Sequence, residues 1–180
     1  VLNLRNGNSF AFIDYDSKIT NHQRICANET YICKKVKVKT VYITRRETFN
    51  AAHKLYREEW SDEKNEAVFG KCSNKNWHGH NFTLYVTVKG TPHEDTGFII
   101  DLKKLSAIIK AEVVDHLDHR NLNLDVPFMK GIMASTENLI VKIWERLEKP
   151  VQEAGGQLSK IKLYETENNF AEYFGGEEPY

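Results

Sequence analysis

Two histidines separated by a single glycine, His78 and His80, are the sharpest chemical feature of this sequence. In an extended segment, residues two apart point to the same face, so both imidazoles are expected on one side. The glycine between them, Gly79, permits another backbone to approach closely. Two imidazoles placed in this way form half of a typical zinc site. The open alternative is a pair of surface histidines beside a loop.

His53 is the candidate third ligand. It follows Phe49 and Ala51 at even spacing, so an extended chain would turn these three side chains to the same face. Three neutral imidazoles with an open fourth position are typical of catalytic zinc, whereas structural zinc usually has four protein ligands. Cys72 could be that fourth ligand, so the residues alone leave a structural zinc site open.

Cys72 also has a catalytic interpretation. The surrounding residues, from Phe69 to Asn74, have the composition of a loop. The ammonium group of the neighbouring Lys71 favours the thiolate, which is the reactive form of cysteine. The alternative is an inert loop cysteine.

Two further groups could handle protons or bind a ligand. Asp118 and His119 are adjacent, which permits a hydrogen-bonded pair but equally a helix cap with a solvated histidine. Glu165 shares its alternation with Ile161 and Leu163, so it is expected on the apolar face of a strand. A carboxylate buried there needs a partner, which could be the N–H groups of a ligand, a structural cation, or water at the strand end.

The elements that would position these groups alternate in a simple order. Strands are predicted over residues 41–49, 81–89, 160–165 and 170–174 from β-branched content and alternation. Two amphipathic helices are predicted between the second and third strands. Asp101 caps the first helix, whose apolar stripe is Leu102, Leu105, Ile108, Ile109, Val113 and Leu117. Ser135 or Thr136 caps the second helix, and Pro150 with Gly155 and Gly156 marks its exit. Its apolar stripe is Leu139, Ile140, Ile143, Trp144 and Leu147. The fold class is therefore α+β, with an antiparallel four-stranded sheet and two helices on one face in the order ββααββ.

Composition narrows the classes of function. The chain has 180 residues, with 25 Lys and Arg against 25 Asp and Glu, so no global field favours nucleic acid or an anionic membrane. No apolar stretch is long enough to span a bilayer, and no signal peptide is recognised, so a cytoplasmic location is expected. Three cysteines are too few for a disulfide framework, and Cys26 and Cys33 are interpreted as unreactive thiols. Residues 1–39 show no clear period and are predicted to be a poorly ordered extension, with the catalytic domain over residues 40–180.

Several motifs in this order resemble the 6-pyruvoyltetrahydropterin synthase family, which includes the queuosine-pathway 6-carboxytetrahydropterin synthases. The resemblance covers residues 40–175, about three quarters of the chain. The motifs that carry it are Phe49 to His53, Phe69 to Cys72, His78 to Asn81, Leu117 to Asn121, Ser135 to Asn138 and Tyr164 to Thr166.

The resemblance implies a zinc (Zn2+) lyase acting on a small pterin, 7,8-dihydroneopterin triphosphate. His53, His78 and His80 match the family's zinc ligands, and Cys72 matches its general base. Asp118 and His119 match its proton relay. The substrate-binding positions are Glu165, which matches the carboxylate that anchors the pterin ring, and Thr136, which matches a residue beside that ring. Candidates for binding the triphosphate are Lys54, Lys71, Lys75 and Arg120.

The resemblance also implies the tunnelling fold, in which protomers form trimers that stack into hexamers, with active sites between protomers. The five residues between Cys72 and His78 resemble the branch that makes 6-pyruvoyltetrahydropterin, although Trp77 departs from the glycine expected there. The alternatives are a 6-carboxytetrahydropterin synthase, which also releases acetaldehyde, and a non-catalytic zinc-stabilised pterin-binding module.

Overall fold

The computed structural model describes residues 39–176, so the predicted extension, apart from Lys39, lies outside the described residues, as do Cys26 and Cys33. The strands are β1 Val41–His53, β2 His78–Gly90, β3 Arg120–Asn121, β4 Gln157–Tyr164 and β5 Phe170–Tyr173. The α-helices are α1 Asp62–Phe69, α2 Leu102–Ile109, α3 Asp115–Leu117 and α4 Thr136–Glu153. Short 3-10 turns span Gly70–Ser73 and Pro127–Met129, and a π-helical turn, Lys110–Val114, joins α2 to α3. None of the helices in residues 39–176 combines the length and apolar character needed to cross a membrane.

The strands form one sheet in the order β3-β1-β2-β4-β5. The four strands that the sequence predicted pair antiparallel, which confirms the predicted α+β class and strand order. The short strand β3 was not predicted, because two residues carry no periodicity; it pairs parallel with Ala51 and Ala52 of β1. Strand β1 also runs four residues past its predicted end at residue 49, and this extension carries His53 into the sheet.

The core lies between the sheet and the helices. Alternate residues of β2 are buried, as their spacing predicted: Phe82, Leu84, Val86 and Val88. The predicted stripe of α4 is buried against them in full, so α2 and α4 cover the same face of the sheet.

The first predicted helix is correct in its core positions but wrong at Leu102, which is 37% exposed. The side chain of Asp101 caps α2 by accepting a hydrogen bond from the Lys103 N–H at 2.7 Å. The buried residues then follow every fourth position, at Leu105, Ile109, Val113 and Leu117. A regular helix would rotate such a series away from the core, and the wider π turn at Lys110–Val114 keeps the series facing inward.

Helix α4 ends between its two predicted exit markers, Pro150 and the Gly155–Gly156 pair. Helix α4 continues to Glu153, because Val151 beyond the proline is fully buried and holds the last turn against the core. The helix ends where the N–H of Ala154 bonds to the Pro150 carbonyl at 3.1 Å, followed by Gly155 at a φ of 94°.

The segment between His53 and His78 is more ordered than its composition indicated. Asn65 is the buried residue of α1, so this helix has no apolar stripe for sequence reasoning to detect. The amide of Asn65 bonds the backbone of Arg57 in both directions, at 2.8 and 2.9 Å. Cys72, predicted in a loop, lies in the 3-10 turn that follows α1, and its carbonyl accepts a hydrogen bond from the Leu55 N–H at 2.8 Å.

Candidate metal centre and active site

The three predicted ligands meet at one end of the β1–β2 pair. His53 and His78 are directly opposite each other in the antiparallel register, and His80 lies two residues further along β2. One potential ligand atom from each of the three lies within 4.8 Å of the other two. The ring centroids are separated by 4.5 Å for His53–His78, 5.0 Å for His78–His80 and 5.2 Å for His53–His80. The predicted clustering of the three imidazoles is therefore correct.

The hydrogen bonding of His53 determines which of its ring nitrogens can bind a metal. Its side chain is 2% exposed, and Nδ1 lies 2.6 Å from the carbonyl oxygen of Ala134. A carbonyl only accepts, so Nδ1 carries the proton and Nε2 keeps its lone pair. This contact has no signal in the sequence, because residue 134 is an alanine bonded through its backbone.

Two buried ring nitrogens, His53 Nε2 and His78 Nδ1, have no hydrogen-bond partner within the described residues. Leaving buried polar atoms unpaired costs about 1–3 kcal/mol each. Since imidazole nitrogens are common ligands of zinc, this donor set fits a metal ion bound by three histidines.

Burial also keeps the three imidazoles in the form that binds a metal. Loss of solvation lowers the pKa of His53, His78 and His80 below the ordinary histidine value, despite the opposing charge of Glu165. A lowered pKa means that the rings are neutral at neutral pH, so protons compete weakly with a metal for their lone pairs.

A cavity of about 440 Å³ opens beside His53. Its lining includes Cys72, Thr136 and Glu165, so three predicted site residues share one cavity with a predicted metal ligand. Cys72 is half-buried there and is not a member of the three-histidine cluster. The cavity is also lined by residues that sequence reasoning did not assign to the site: Leu55, Ser135, Glu137, Asn168, Asn169, Phe170 and Ala171.

Glu165 lies one residue beyond the end of β4, with its side chain 21% exposed. Its Oε1 atom is 3.5 Å from His53 Nε2 and 3.8 Å from His80 Nε2. Ile161 and Leu163, which precede Glu165 on the same face of β4, are fully buried, as the alternation predicted. Glu165 itself lies past the strand end and stays partly exposed, as the alternative of a strand-end position predicted. The carboxylate therefore lies beside the histidine cluster and also lines the cavity.

Asp118 and His119 do form a hydrogen-bonded pair. His119 Nδ1 lies 2.9 Å from Asp118 Oδ2, and the other carboxylate oxygen accepts the Asn50 N–H at 2.7 Å. The Asn50 hydrogen bond, reinforced by His119, lowers the pKa of the Asp118 carboxyl below its ordinary value. His119 has a φ of 58° and is 82% exposed, and its N–H is held by the Asn50 carbonyl at 2.7 Å.

This pair does not line the cavity that holds Cys72, and neither does any of the four candidate cations. The charged groups of the cavity lining are Glu137 and Glu165, both acidic. The residues 39–176 of one chain thus bring together the metal ligands, the thiol and the binding residues, but leave the acid–base pair and the cations outside.

The fold and the site together define an α+β protein with a three-histidine centre at the end of its sheet. The family model described as 6-pyruvoyl tetrahydropterin synthase matches residues 42–176. The chain is 44% identical over 137 residues to the 6-pyruvoyl tetrahydrobiopterin synthase of Dictyostelium discoideum, covering 76% of this chain and 98% of that protein. It is 43% identical over 135 residues to the human 6-pyruvoyl tetrahydrobiopterin synthase, covering 74% of this chain and 90% of that protein.

A solved structure agrees with these sequence matches. The 6-pyruvoyl tetrahydropterin synthase of Caenorhabditis elegans superposes with a TM-score of 0.68 at 34% identity, covering 78% of this chain and 99% of that one. The chain belongs to the 6-pyruvoyl tetrahydropterin synthase family. The resemblance inferred from the motifs is confirmed, together with the predicted fold class.

Proposed function

We propose that this protein is a zinc-dependent lyase that converts 7,8-dihydroneopterin triphosphate to 6-pyruvoyltetrahydropterin and releases triphosphate. The observation that carries the proposal is the convergence of His53, His78 and His80 beside a cavity that also holds Cys72, in a member of this family. The cavity volume of about 440 Å³ is within the range of small-molecule sites. A cytoplasmic location remains a prediction from the sequence.

The three histidines would hold the zinc ion. When bound, zinc supplies Lewis-acid chemistry that polarises oxygen atoms of the substrate side chain. His53 is locked in the ligating tautomer by Ala134, which is the usual role of a partner behind a metal-bound histidine.

The remaining cavity residues would bind the pterin and move protons. Glu165 would accept hydrogen bonds from the N–H groups of the ring, and Thr136, at the first turn of α4, would lie beside the ring. Cys72 as a thiolate would remove a proton from the substrate side chain, since a thiolate is a competent base in a partly enclosed site. Because Cys72 is outside the histidine cluster, substrate oxygens, and not the thiol, would complete the coordination of the metal.

A complete site would require a second copy of the chain. A substrate with a triphosphate needs cations, whereas the charged residues of this cavity are Glu137 and Glu165. The Asp118–His119 pair is well formed but does not line this cavity, and its imidazole is 82% exposed, which suits a group that serves a neighbouring protomer. We therefore include in the proposal a homo-oligomer, a trimer or hexamer, with sites between protomers.

An open sheet edge supports association. Strand β3 covers β1 only at Ala51 and Ala52, so residues 41–49 of β1 have no strand neighbour on that side within residues 39–176. Edge strands with unpaired backbone groups are favourable sites for pairing with another chain.

The deciding experiment is mass analysis of the product formed from 7,8-dihydroneopterin triphosphate by the zinc-loaded protein. The proposal expects 6-pyruvoyltetrahydropterin and triphosphate with no acetaldehyde. A 6-carboxy product with acetaldehyde would instead identify the queuosine-pathway reaction, and the absence of any product would favour a non-catalytic pterin-binding module.

A further inference from the structure

Trp77, the residue directly before His78, has an unusual backbone conformation. Its φ is 66°, and within residues 39–176 His119 is the other non-glycine residue with a positive φ. The left-handed region costs a residue with a Cβ about 1–2 kcal/mol, and bulky residues are rarely found there. Such strain persists only where surrounding contacts hold it.

Two sets of contacts hold Trp77 in place. Its N–H donates to the Asn74 carbonyl at 3.1 Å, which closes the turn that enters β2. Its ring lies 4.8 Å from the ammonium group of Lys54, which also lies 4.2 Å from the ring of Tyr56. Both distances are within the range of cation–π attraction.

Lys54 is itself fixed at the backbone. Its N–H donates to the side chain of Asn123 at 3.0 Å, and its carbonyl accepts from the same amide at 3.0 Å. The backbone from which the Lys54 side chain reaches the Trp77 ring is therefore fixed.

The position of this pair relative to the metal site is given by the strand register. His53 and His78 are the last residues paired between β1 and β2. Lys54 follows the last residue of β1 and Trp77 precedes the first residue of β2. Their contact therefore joins the two strand ends one residue beyond the ligand pair. The ammonium of Lys54 lines a separate cavity with Tyr56, Trp77 and Met133, and not the cavity that contains Cys72. This placement favours a structural task over contact with the substrate.

We propose that Lys54 and Trp77 are positioning residues that clamp the ends of β1 and β2 and thereby hold His53 and His78 at the separation required for zinc. The inference rests on the proposed zinc-dependent function. The strained backbone at Trp77 sets the direction in which His78 enters the strand, and the cation–π contact keeps that conformation populated. Zinc affinity is therefore coupled to a contact that no ligand makes.

The test compares zinc affinity in Lys54→Met and in a matched control, Lys64→Met. Lys64 makes the same type of contact, with its ammonium 4.1 Å from the ring of Trp60, but neither residue flanks a ligand. Zinc dissociation constants are measured by chelator competition on the full chain. Of the two cation–π contacts that Lys54→Met removes, the one with Trp77 flanks a ligand, and its loss predicts about a threefold weaker affinity. No change is expected for Lys64→Met, and Lys54→Arg should keep near wild-type affinity.

A spectroscopic measurement separates positioning from general stability. The visible spectrum of the cobalt-substituted protein reports the ligand geometry directly. Trp77→Ala, which keeps the Cβ but loses the ring, and Lys54→Met should shift its bands, whereas Trp77→Phe, which keeps a ring, and Lys64→Met should leave them unchanged. Unaltered zinc affinity and cobalt spectrum in Lys54→Met, or equal changes in Lys64→Met, would overturn the inference. Failure of the wild-type protein to bind zinc or form product would instead overturn the proposed function.

Discussion

At the scale of single residues, Cys72 distinguishes an enzyme from a zinc-stabilised binding protein. The thiol lines the cavity but lies outside the histidine cluster. We expect Cys72→Ala to lose turnover by about 100-fold or more, the contribution typical of a general base, and to keep its zinc. Turnover and zinc content by elemental analysis are measured on the same sample.

The control for this variant is Ser73→Ala. The Ser73 hydroxyl bonds to the Gly70 carbonyl at 2.7 Å and does not line the cavity. It should retain turnover and zinc. If Cys72→Ala loses its zinc along with its activity, the thiol is a metal ligand and the site is structural.

Asp118 gives a pH prediction at the same scale. The Asn50 N–H and His119 lower the pKa of its carboxyl below the ordinary value of 3.8. A carboxyl whose pKa is lowered by folding stabilises the fold above its ordinary pKa, and this contribution disappears as the pH falls through the lowered value. Wild type should therefore be more stable than Asp118→Asn near neutral pH, with the difference in Tm shrinking as the pH falls below the ordinary aspartate value of 3.8 and through the lowered pKa.

The Tm values are measured by calorimetry between neutral pH and acid. Comparison between variants removes the effect of zinc release, which both proteins share. Asp95→Asn, at an aspartate that is 89% exposed, is the control and should track wild type throughout. A Tm difference for Asp118→Asn that is constant across the pH range would show that the carboxylate does not act through its charge.

At the scale of elements, the π turn between α2 and α3 precedes the Asp118–His119 pair along the chain and is contacted by α4. Arg146 of α4 donates to the Glu112 backbone carbonyl within this turn and to the Glu112 carboxylate at 2.9 Å. Its guanidinium also lies 4.9 Å from the ring of Phe128. The Arg146 side chain thereby ties the π turn to α4 through both the backbone and the carboxylate of Glu112.

We expect Arg146→Met to destabilise the protein by about 1–2 kcal/mol, because the variant removes a charged donor from the Glu112 carbonyl. Amide hydrogen exchange should accelerate mainly over residues 110–117. Lys142→Met is the matched control on α4, since Lys142 is equally exposed and its ion pair with Glu145 should contribute less than about 1 kcal/mol. Uniform acceleration along the whole chain would contradict a local role.

At the scale of the whole molecule, the cavity of one chain holds the thiol and the exposed imidazole of His119 lies elsewhere. If each site combines Cys72 of one copy with His119 of another, two inactive variants should restore each other. Co-expression of Cys72→Ala with His119→Ala in equal amounts should leave about a quarter of the sites with both wild-type residues, as expected for a symmetric oligomer mixed at random.

The measurement is turnover of the mixed oligomer, with its composition verified by native mass spectrometry. Each variant assembled alone should be inactive. Mixed oligomers with no activity would mean that Cys72 and His119 act within one chain or that the pair has no catalytic role.

Local chemistry in the sequence was enough to predict the main strands and helices and the three histidines that cluster. Alternation along β2 predicted both the buried residues and the shared face of His78 and His80, because the side-chain period of a strand is a local property. The same period placed His53 and Glu165 on the inner face. The stripes of the two helices were predicted for the same reason, with Leu102 as an exception that lies at a helix end.

Only the tertiary structure decided what depends on distant parts of the chain. The bond from His53 to the Ala134 carbonyl, the strand β3 beside Ala51 and the course of α4 past Pro150 all depend on contacts across the fold. The sequence left open whether Cys72 is a ligand and whether Asp118 and His119 pair. The structure places Cys72 outside the three-histidine group, and it pairs Asp118 with His119 beside the backbone of Asn50, which no period along the chain records. Periodicity is local, whereas the convergence of a thiol, three imidazoles and a carboxylate depends on how the elements pack.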